Sequence, residues 1–353
     1  MDEAIDLKEF WKGKRVFITG HTGFKGSWLT YILNELGAEV KGYSLPLEED
    51  KILFKGLNLV ERIDTVYGDI NDYDKIDNEI NIFGPEIFFH LAAQPLVRRS
   101  YSNPRETFET NILGTYNVLE STRKIETLKS IIVITSDKCY YNKEWEHSYR
   151  ENDQLGGYDP YSASKACTEI IAQSMRSSYF DSKIGFSTVR AGNVIGGGDF
   201  SMDRLFPDIA RSISKENSLS IRNPLATRPW QHVIEPLFAY IELAKNQFHN
   251  PSGFSSEWNI GPHPENAQSV ESILKIIDAH FPNLINWELD KKHQPHEAQS
   301  LKLDISKFLS KNNWSPKWDL EETILRTINW YKEFQKGTDV ALLCKKDLIE
   351  YLR

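Results

Sequence analysis

Hydrophobic positions follow two patterns over the first two-thirds of the chain. Short apolar runs, rich in β-branched and aromatic residues, alternate with stretches whose apolar positions return every three or four residues. Val16-Phe-Ile-Thr, Glu39-Val-Lys-Gly-Tyr-Ser-Leu and Asp64-Thr-Val-Tyr-Gly-Asp-Ile-Asn read as strands. So do Glu86-Ile-Phe-Phe-His-Leu-Ala-Ala-Gln, Ser130-Ile-Ile-Val-Ile-Thr-Ser and Ser187-Thr-Val-Arg-Ala-Gly-Asn-Val-Ile. Continuous apolar character predicts strands buried on both faces. Between them, Trp28, Leu29, Ile32, Leu33 and Leu36 mark a helix that Gly37 closes. Further helices are predicted over 110–120 and from Pro160 onward. This alternation with short links predicts an α/β fold, a doubly wound parallel sheet covered on both faces.

The remainder is less regular. Ser220-Ile-Arg-Asn-Pro predicts a strand and turn, 234–244 a helix and Trp258-Asn-Ile-Gly a strand returning to the main sheet. Helices are predicted over 269–279 and from Asp319 through Tyr331. Composition shifts after Gly196-Gly-Gly-Asp. The expected division is a large domain, 1–192 with 230–262 returning to it, and a smaller discontinuous one, 193–229 with 263–353.

The first strand ends in a glycine turn. Gly20, Gly23 and Gly26 recur at three-residue intervals immediately before the first helix. Strand, glycine turn and helix together suggest a dinucleotide site. Glycines let backbone N–H groups approach a pyrophosphate, and the helix N-terminus adds its positive dipole end. The spacing is G-x-x-G-x-x-G rather than G-x-G-x-x-G. Gly20, Thr22, Gly23, Phe24, Lys25 and Gly26 are therefore cofactor candidates. The small residues Leu91-Ala92-Ala93 close the fourth strand, where a cofactor can come close. Asp69 and Ile70 could hold an adenine, or Asp69 could belong to a helix cap with Asn71 and Asp72. The second strand ends in Tyr43-Ser44-Leu45, with no carboxylate for a ribose and no arginine for a 2′-phosphate. The missing cation favours NAD over NADP.

A second constellation is Tyr161 and Lys165, four residues apart on one helix face, after a strand that ends in Ser136. A free phenol titrates near 10. A nearby ammonium and a nicotinamide cation would favour the phenolate, letting Tyr161 take a proton while hydride leaves for the cofactor.

Bulk properties narrow the class. The 353 residues carry a net charge of −8 with no basic run, which speaks against a nucleic-acid surface. No apolar run reaches the ~20 residues of a membrane helix, and the acidic N-terminus is not a targeting peptide. Three cysteines without a C-x-x-C pair predict no disulfide framework and no metal site. The expectation is a cytoplasmic protein.

Several stretches together resemble one family. They are Gly20-His-Thr-Gly-Phe-Lys-Gly-Ser-Trp, His90-Leu-Ala-Ala-Gln-Pro-Leu-Val-Arg, Thr135-Ser-Asp-Lys-Cys-Tyr and Pro160-Tyr-Ser-Ala-Ser-Lys, with Arg190-Ala-Gly-Asn-Val-Ile-Gly-Gly-Gly-Asp and Asn223-Pro-Leu-Ala-Thr-Arg-Pro-Trp-Gln-His. From about residue 10 to 335 the chain resembles the extended short-chain dehydrogenases/reductases, in particular the nucleotide-sugar 4,6-dehydratases. The resemblance implies a Rossmann-type NAD-binding domain, a nucleotide-sugar-binding domain, CDP-glucose as substrate and deoxysugar biosynthesis for a lipopolysaccharide O-antigen. It also implies a homodimer, or a tetramer, built through a four-helix contact.

The roles it implies run as follows. Ser136 and Tyr161 handle the sugar 4-hydroxyl, with Lys165 beside them. Asp137 protonates the leaving 6-hydroxyl and Lys138 takes the C5 proton; relatives on other nucleotide sugars carry Asp-Glu there. Asn111 goes with the cofactor. Gln94 and Asn193 meet the sugar or its phosphate, while Arg98, Arg204, Arg222 and Arg228 meet the substrate, with Arg222 and Arg228 on its diphosphate. His296 lies near the nucleotide. The rivals are an epimerase or reductase using the same Tyr161–Lys165 pair without elimination, and a dinucleotide-binding regulator without turnover.

Overall fold

Seven parallel strands form the central sheet of the computed structural model, which describes residues 2–215, 218–290 and 298–353. They are β1 (Arg15–Thr19), β2 (Glu39–Ser44), β3 (Asp64–Tyr67), β4 (Ile87–His90), β5 (Ser130–Ile134), β6 (Gly185–Ala191) and β7 (Glu257–Ile260). Their order is 7-6-5-4-1-2-3. The chain winds outward from β1 to β3, then crosses to β4 on the other side of β1. The crevice between β1 and β4 is the switch point at which such sheets bind ligands.

Side-chain alternation along each strand feeds two cores. Val16 and Ile18 join Trp11, Trp28, Phe89 and Trp258 on one face, covered by helices Phe24–Glu35, Ile234–His249 and Val340–Tyr351. Phe17 points the other way and stacks on its register partner Phe88, with ring centroids 5.2 Å apart. There it meets Ile131, Val133 and helices Tyr73–Phe83, Thr115–Thr122 and Pro160–Tyr179. A third core, with Phe206, Ile221, Trp230, Ile273, Ile324 and Ile328, builds the smaller lobe. The final helix, Val340–Tyr351, packs into the first of these cores, so part of the chain after 263 serves the large lobe.

Two elements depart from the periodicity. The third strand stops at Tyr67, whose register partner Ser44 is the last residue of β2. The helix after it is capped by Asp72, which accepts from Lys75 N at 3.2 Å, and not by Asp69. The 110–120 helix is the end of a longer run, Pro104–Phe108 and Thr115–Thr122 joined by one π-helical turn, Glu109–Gly114. The Asn111 carbonyl there accepts hydroxyls from Thr115 and Thr168, holding the turn wide.

Gly42 sits in β2 beneath the His21 ring, 2.3 Å from where its Cβ would be. That ring is held by Ser44 at 3.0 Å and by the edge of Phe54. Gly42→Ala should therefore lower stability by about 1–3 kcal/mol, the usual range for overpacking. A urea midpoint equal to that of the parent chain would show that the ring yields freely.

Candidate active site

The glycine turn allows no side chains where it matters. Gly20 has φ +74°, and a Cβ on it would lie 2.6 Å from Ala92 N. A Cβ on Gly26 would lie 2.1 Å from Gly20 O. The helix that follows is capped by Gly23, which offers no side-chain acceptor, so its first N–H groups stay available to an anion. A cavity of about 870 Å³ opens there, at the β1/β4 switch point. Gly20, Thr22, Gly23, Phe24, Lys25 and Gly26 line it, as do Asp69, Ile70, Leu91, Ala92 and Ala93. These features fit a dinucleotide. In place of a carboxylate, β2 ends in Ser44, whose hydroxyl bonds Thr22 Oγ1 at 3.0 Å and the His21 ring. Burial lowers His21 to about 4, so that ring is a neutral spacer.

A second cavity, of about 310 Å³, lies between the lobes. Thr135, Tyr161, Phe24, Lys25, Asp199 and Arg204 line both cavities, so the two meet at Tyr161. Ser136, Asp137 and Lys138 stand on the second cavity's wall, at the C-terminal end of β5. Lys165 faces the first, its Nζ donating to the Ile134 carbonyl at 3.3 Å.

Burial governs the charges here. It pushes the Tyr161 phenol up to about 12, against the favourable neighbourhood of Ser136. Lys165 is not among the groups that lower it; Ser136 and Arg204 are, and desolvation outweighs them. Burial lowers Lys165 to about 8, partly offset by Glu169. It lowers Lys25 to about 7, helped by Lys165 and Arg204. Asp137 is 2% exposed and is raised by burial despite Lys138, Ser136 and Arg228. Its Oδ1 accepts from Ser136 Oγ at 3.0 Å, while its buried Oδ2 has no partner among the described residues. A carboxyl so placed holds a proton well, as a general acid must.

Not every expected contact reaches a cavity. Gln94 is folded inward: its amide donates to Leu96 O and Thr107 Oγ1, and its Oε1 accepts from Leu96 N at 2.7 Å. Asn111 likewise spends its side chain on Gln94 O, Gln94 N and Ser164 Oγ. Neither lines either of these two cavities; together they shape the loop after β4. Asn193, Arg98, Arg204, Arg222 and Arg228 do line the second cavity. Arg98 and Arg222 converge on Asp203 Oδ1, at 3.0 and 3.6 Å. Arg204 pairs with Asp199 at 3.0 Å. Arg228 is buried and donates to the carbonyls of Thr227, Gln299 and Ala298. His296 lies outside the described residues. Leu45, Asp50, Lys51 and Leu53 wall the first cavity unannounced, since their loop carries no periodic signal. Among the described residues no group of His, Cys, Asp and Glu is arranged to hold a metal ion, and no helix is long and apolar enough to cross a membrane.

The chain matches the family model of GDP-mannose 4,6 dehydratase over residues 17–327 and belongs to that family. Within it, the chain is similar to the CDP-glucose 4,6-dehydratase of Salmonella typhimurium, 47% identical over 351 residues and covering 98% of each chain. The dTDP-glucose 4,6-dehydratase of Escherichia coli is 27% identical, over 90% of this chain and 93% of that one. Among solved structures, a UDP-glucuronic acid 4-epimerase from Bacillus cereus with UDP-glucuronic acid and NAD superposes with TM-score 0.79, at 21% identity over 91% of this chain and 99% of that one. A dTDP-glucose 4,6-dehydratase from Bacillus anthracis with NAD gives 0.75, at 19% identity over 92% and 98%.

Lys25 is charged below about pH 10.5 when the chain is unfolded, but only below about 7 when folded. Between those values the unfolded chain binds more protons, so Lys25 makes stability rise with pH there. Ligand-free Lys25→Met should melt above the parent chain, by the widest margin at pH 7 and below, with the margin closing toward pH 10. A margin that does not vary with pH would refute this assignment.

Proposed function

We propose that the chain converts CDP-glucose to CDP-4-keto-6-deoxyglucose, using a bound NAD that is regenerated in each cycle. The observation that carries this reading is the meeting of two cavities at Tyr161, with a proton-holding Asp137 beside it. The 47% identity to a CDP-glucose 4,6-dehydratase along nearly the whole chain supports the sugar and the base. When bound, NAD supplies a hydride acceptor for C4 and a hydride donor for C6. The protein supplies everything else. Tyr161 and Ser136 hold the 4-hydroxyl, and Tyr161 takes its proton as a 4-ketone forms. The ketone acidifies C5, and Lys138 takes that proton. Asp137 gives its proton to the 6-hydroxyl, which leaves as water, and Lys138 returns its proton to C5 when C6 is reduced. Arg98, Arg204, Arg222 and Arg228 surround the diphosphate, a group suited to planar guanidinium forks. Three free cysteines fit a reducing cytoplasm.

The partner we propose is a second copy of the chain. Leu113 and Ile170 are 51% and 54% exposed, and with Phe108 and Tyr116 they give helices 104–122 and Pro160–Tyr179 an unpartnered apolar side. Two such pairs of helices would cover each other as a four-helix contact.

Purified protein offered CDP-, dTDP-, GDP- and UDP-glucose should form a 4-keto-6-deoxy product from CDP-glucose. Preference for another nucleotide would overturn the substrate. Tyr161→Phe should lose at least about 10²-fold in kcat with NAD binding intact, the lower range for removing a general base. Asp137→Asn should still reduce NAD on mixing with substrate while eliminating little water. Leu113→Glu with Ile170→Glu should sediment as a monomer where the parent chain sediments as a dimer; identical sedimentation would remove the proposed contact.

A further inference from the structure

Behind Tyr161 and Lys165 lies a carboxylate that the reaction above leaves unused. Glu169 follows Lys165 by four residues, as Lys165 follows Tyr161, so the three share one face of the Pro160–Tyr179 helix. Glu169 is 2% exposed. Its Oε1 accepts from Thr135 Oγ1; its Oε2 accepts from Thr188 Oγ1 and from Arg190 Nη2, both at 2.7 Å. Arg190, 1% exposed, donates onward to Tyr140 Oη at 2.8 Å and to the Glu151 carbonyl at 2.9 Å. Tyr140 in turn donates to Asn259 Oδ1 at 2.7 Å, on β7.

Thr135 and Tyr140 flank the segment that carries Ser136, Asp137 and Lys138. The Glu169–Arg190 pair therefore grips that segment at both ends. A buried ion pair is weak evidence for stability, since an apolar pair of equal volume often serves as well. The surroundings of Lys165 give this one a second use. Lys25 faces Lys165 from the Phe24–Glu35 helix, His90 from β4 and Cys139 from the segment after β5; Tyr161 and Glu169 share its helix. His90 and Cys139 are kept neutral by burial, and Lys25 repels. Glu169 is the carboxylate that favours the ammonium.

We propose that Glu169 is a positioning residue of the reaction: the counter-charge to Lys165 and, with Arg190, the clamp on both ends of the Ser136–Lys138 segment. The proposal deepens the dehydratase reading and rests on it for the part Lys165 plays.

The test is a ¹³Cε-lysine NMR titration of the full chain, with the Lys165 resonance assigned through Lys165→Arg. This readout needs no turnover. In Glu169→Gln the Lys165 midpoint should fall by about one pH unit, a tenfold change in acidity. Because that variant leaves Arg190 buried without its partner, Glu169→Gln with Arg190→Met is measured beside it and should show a smaller fall in the same direction, since the repulsion from Arg190 is lost together with the attraction of Glu169. Glu169→Asp, which keeps the charge, should hold the parent midpoint. The alkaline limb of kcat should move with the NMR midpoint. An unmoved midpoint in both Gln variants overturns the proposal, even where melting temperature or kcat drops. Failure of the dehydratase reading looks different: the midpoint shifts, and no variant, the parent chain included, turns over CDP-glucose.

Discussion

Everything at the centre of this protein depends on how closely two pieces of backbone approach each other. Gly20 lies against the Leu91–Ala92 peptide, and Gly26 lies against Gly20, at distances that exclude even a methyl group. That contact ties the first helix to the ends of β1 and β4 and leaves the helix N-terminus facing the crevice. The cofactor cavity is the space such packing leaves open. Where Gly20 and Gly26 close it, the wall is backbone at closest approach, with no room for an added side chain.

Onto that scaffold the chain adds an electrostatic problem. A phenol, an acid and two amines are taken out of water within one junction, and each moves toward its neutral form. Asp137 and Tyr161 are both raised by burial, and Lys25 and Lys165 are both lowered by it, so one desolvated junction favours the proton-bound acids and the proton-free amines together.

The fold was legible because buried parallel strands are written as unbroken apolar runs, and the β1 turn because glycine has no substitute at a positive φ or a sub-van-der-Waals approach. Tyr161 and Lys165 were read from their four-residue spacing together with the glycine turn and the strand ending in Ser136. The inward hydrogen bonds of Gln94 and Asn111 were not legible, because their partners lie 13 to 53 residues away. The π-helical turn left no periodic trace, since the Thr168 hydroxyl that bonds its Asn111 carbonyl comes from a distant helix. Glu169 was hidden for a related reason. A glutamate four residues after a lysine reads as a solvated pair, and its burial follows from Arg190 on another element.

The segment from Gly196 to Arg204 has a further consequence. Tyr331 Oη donates to the carbonyls of Gly196 and Asp199, and Trp28 Nε1 donates to that of Gly197. Asp199 and Arg204 then line both cavities. A single anchored strip of chain is thus the partition between two compartments. A substitution on that strip therefore changes the walls of both cavities at once, whereas Trp230 lines the second cavity without lining the first.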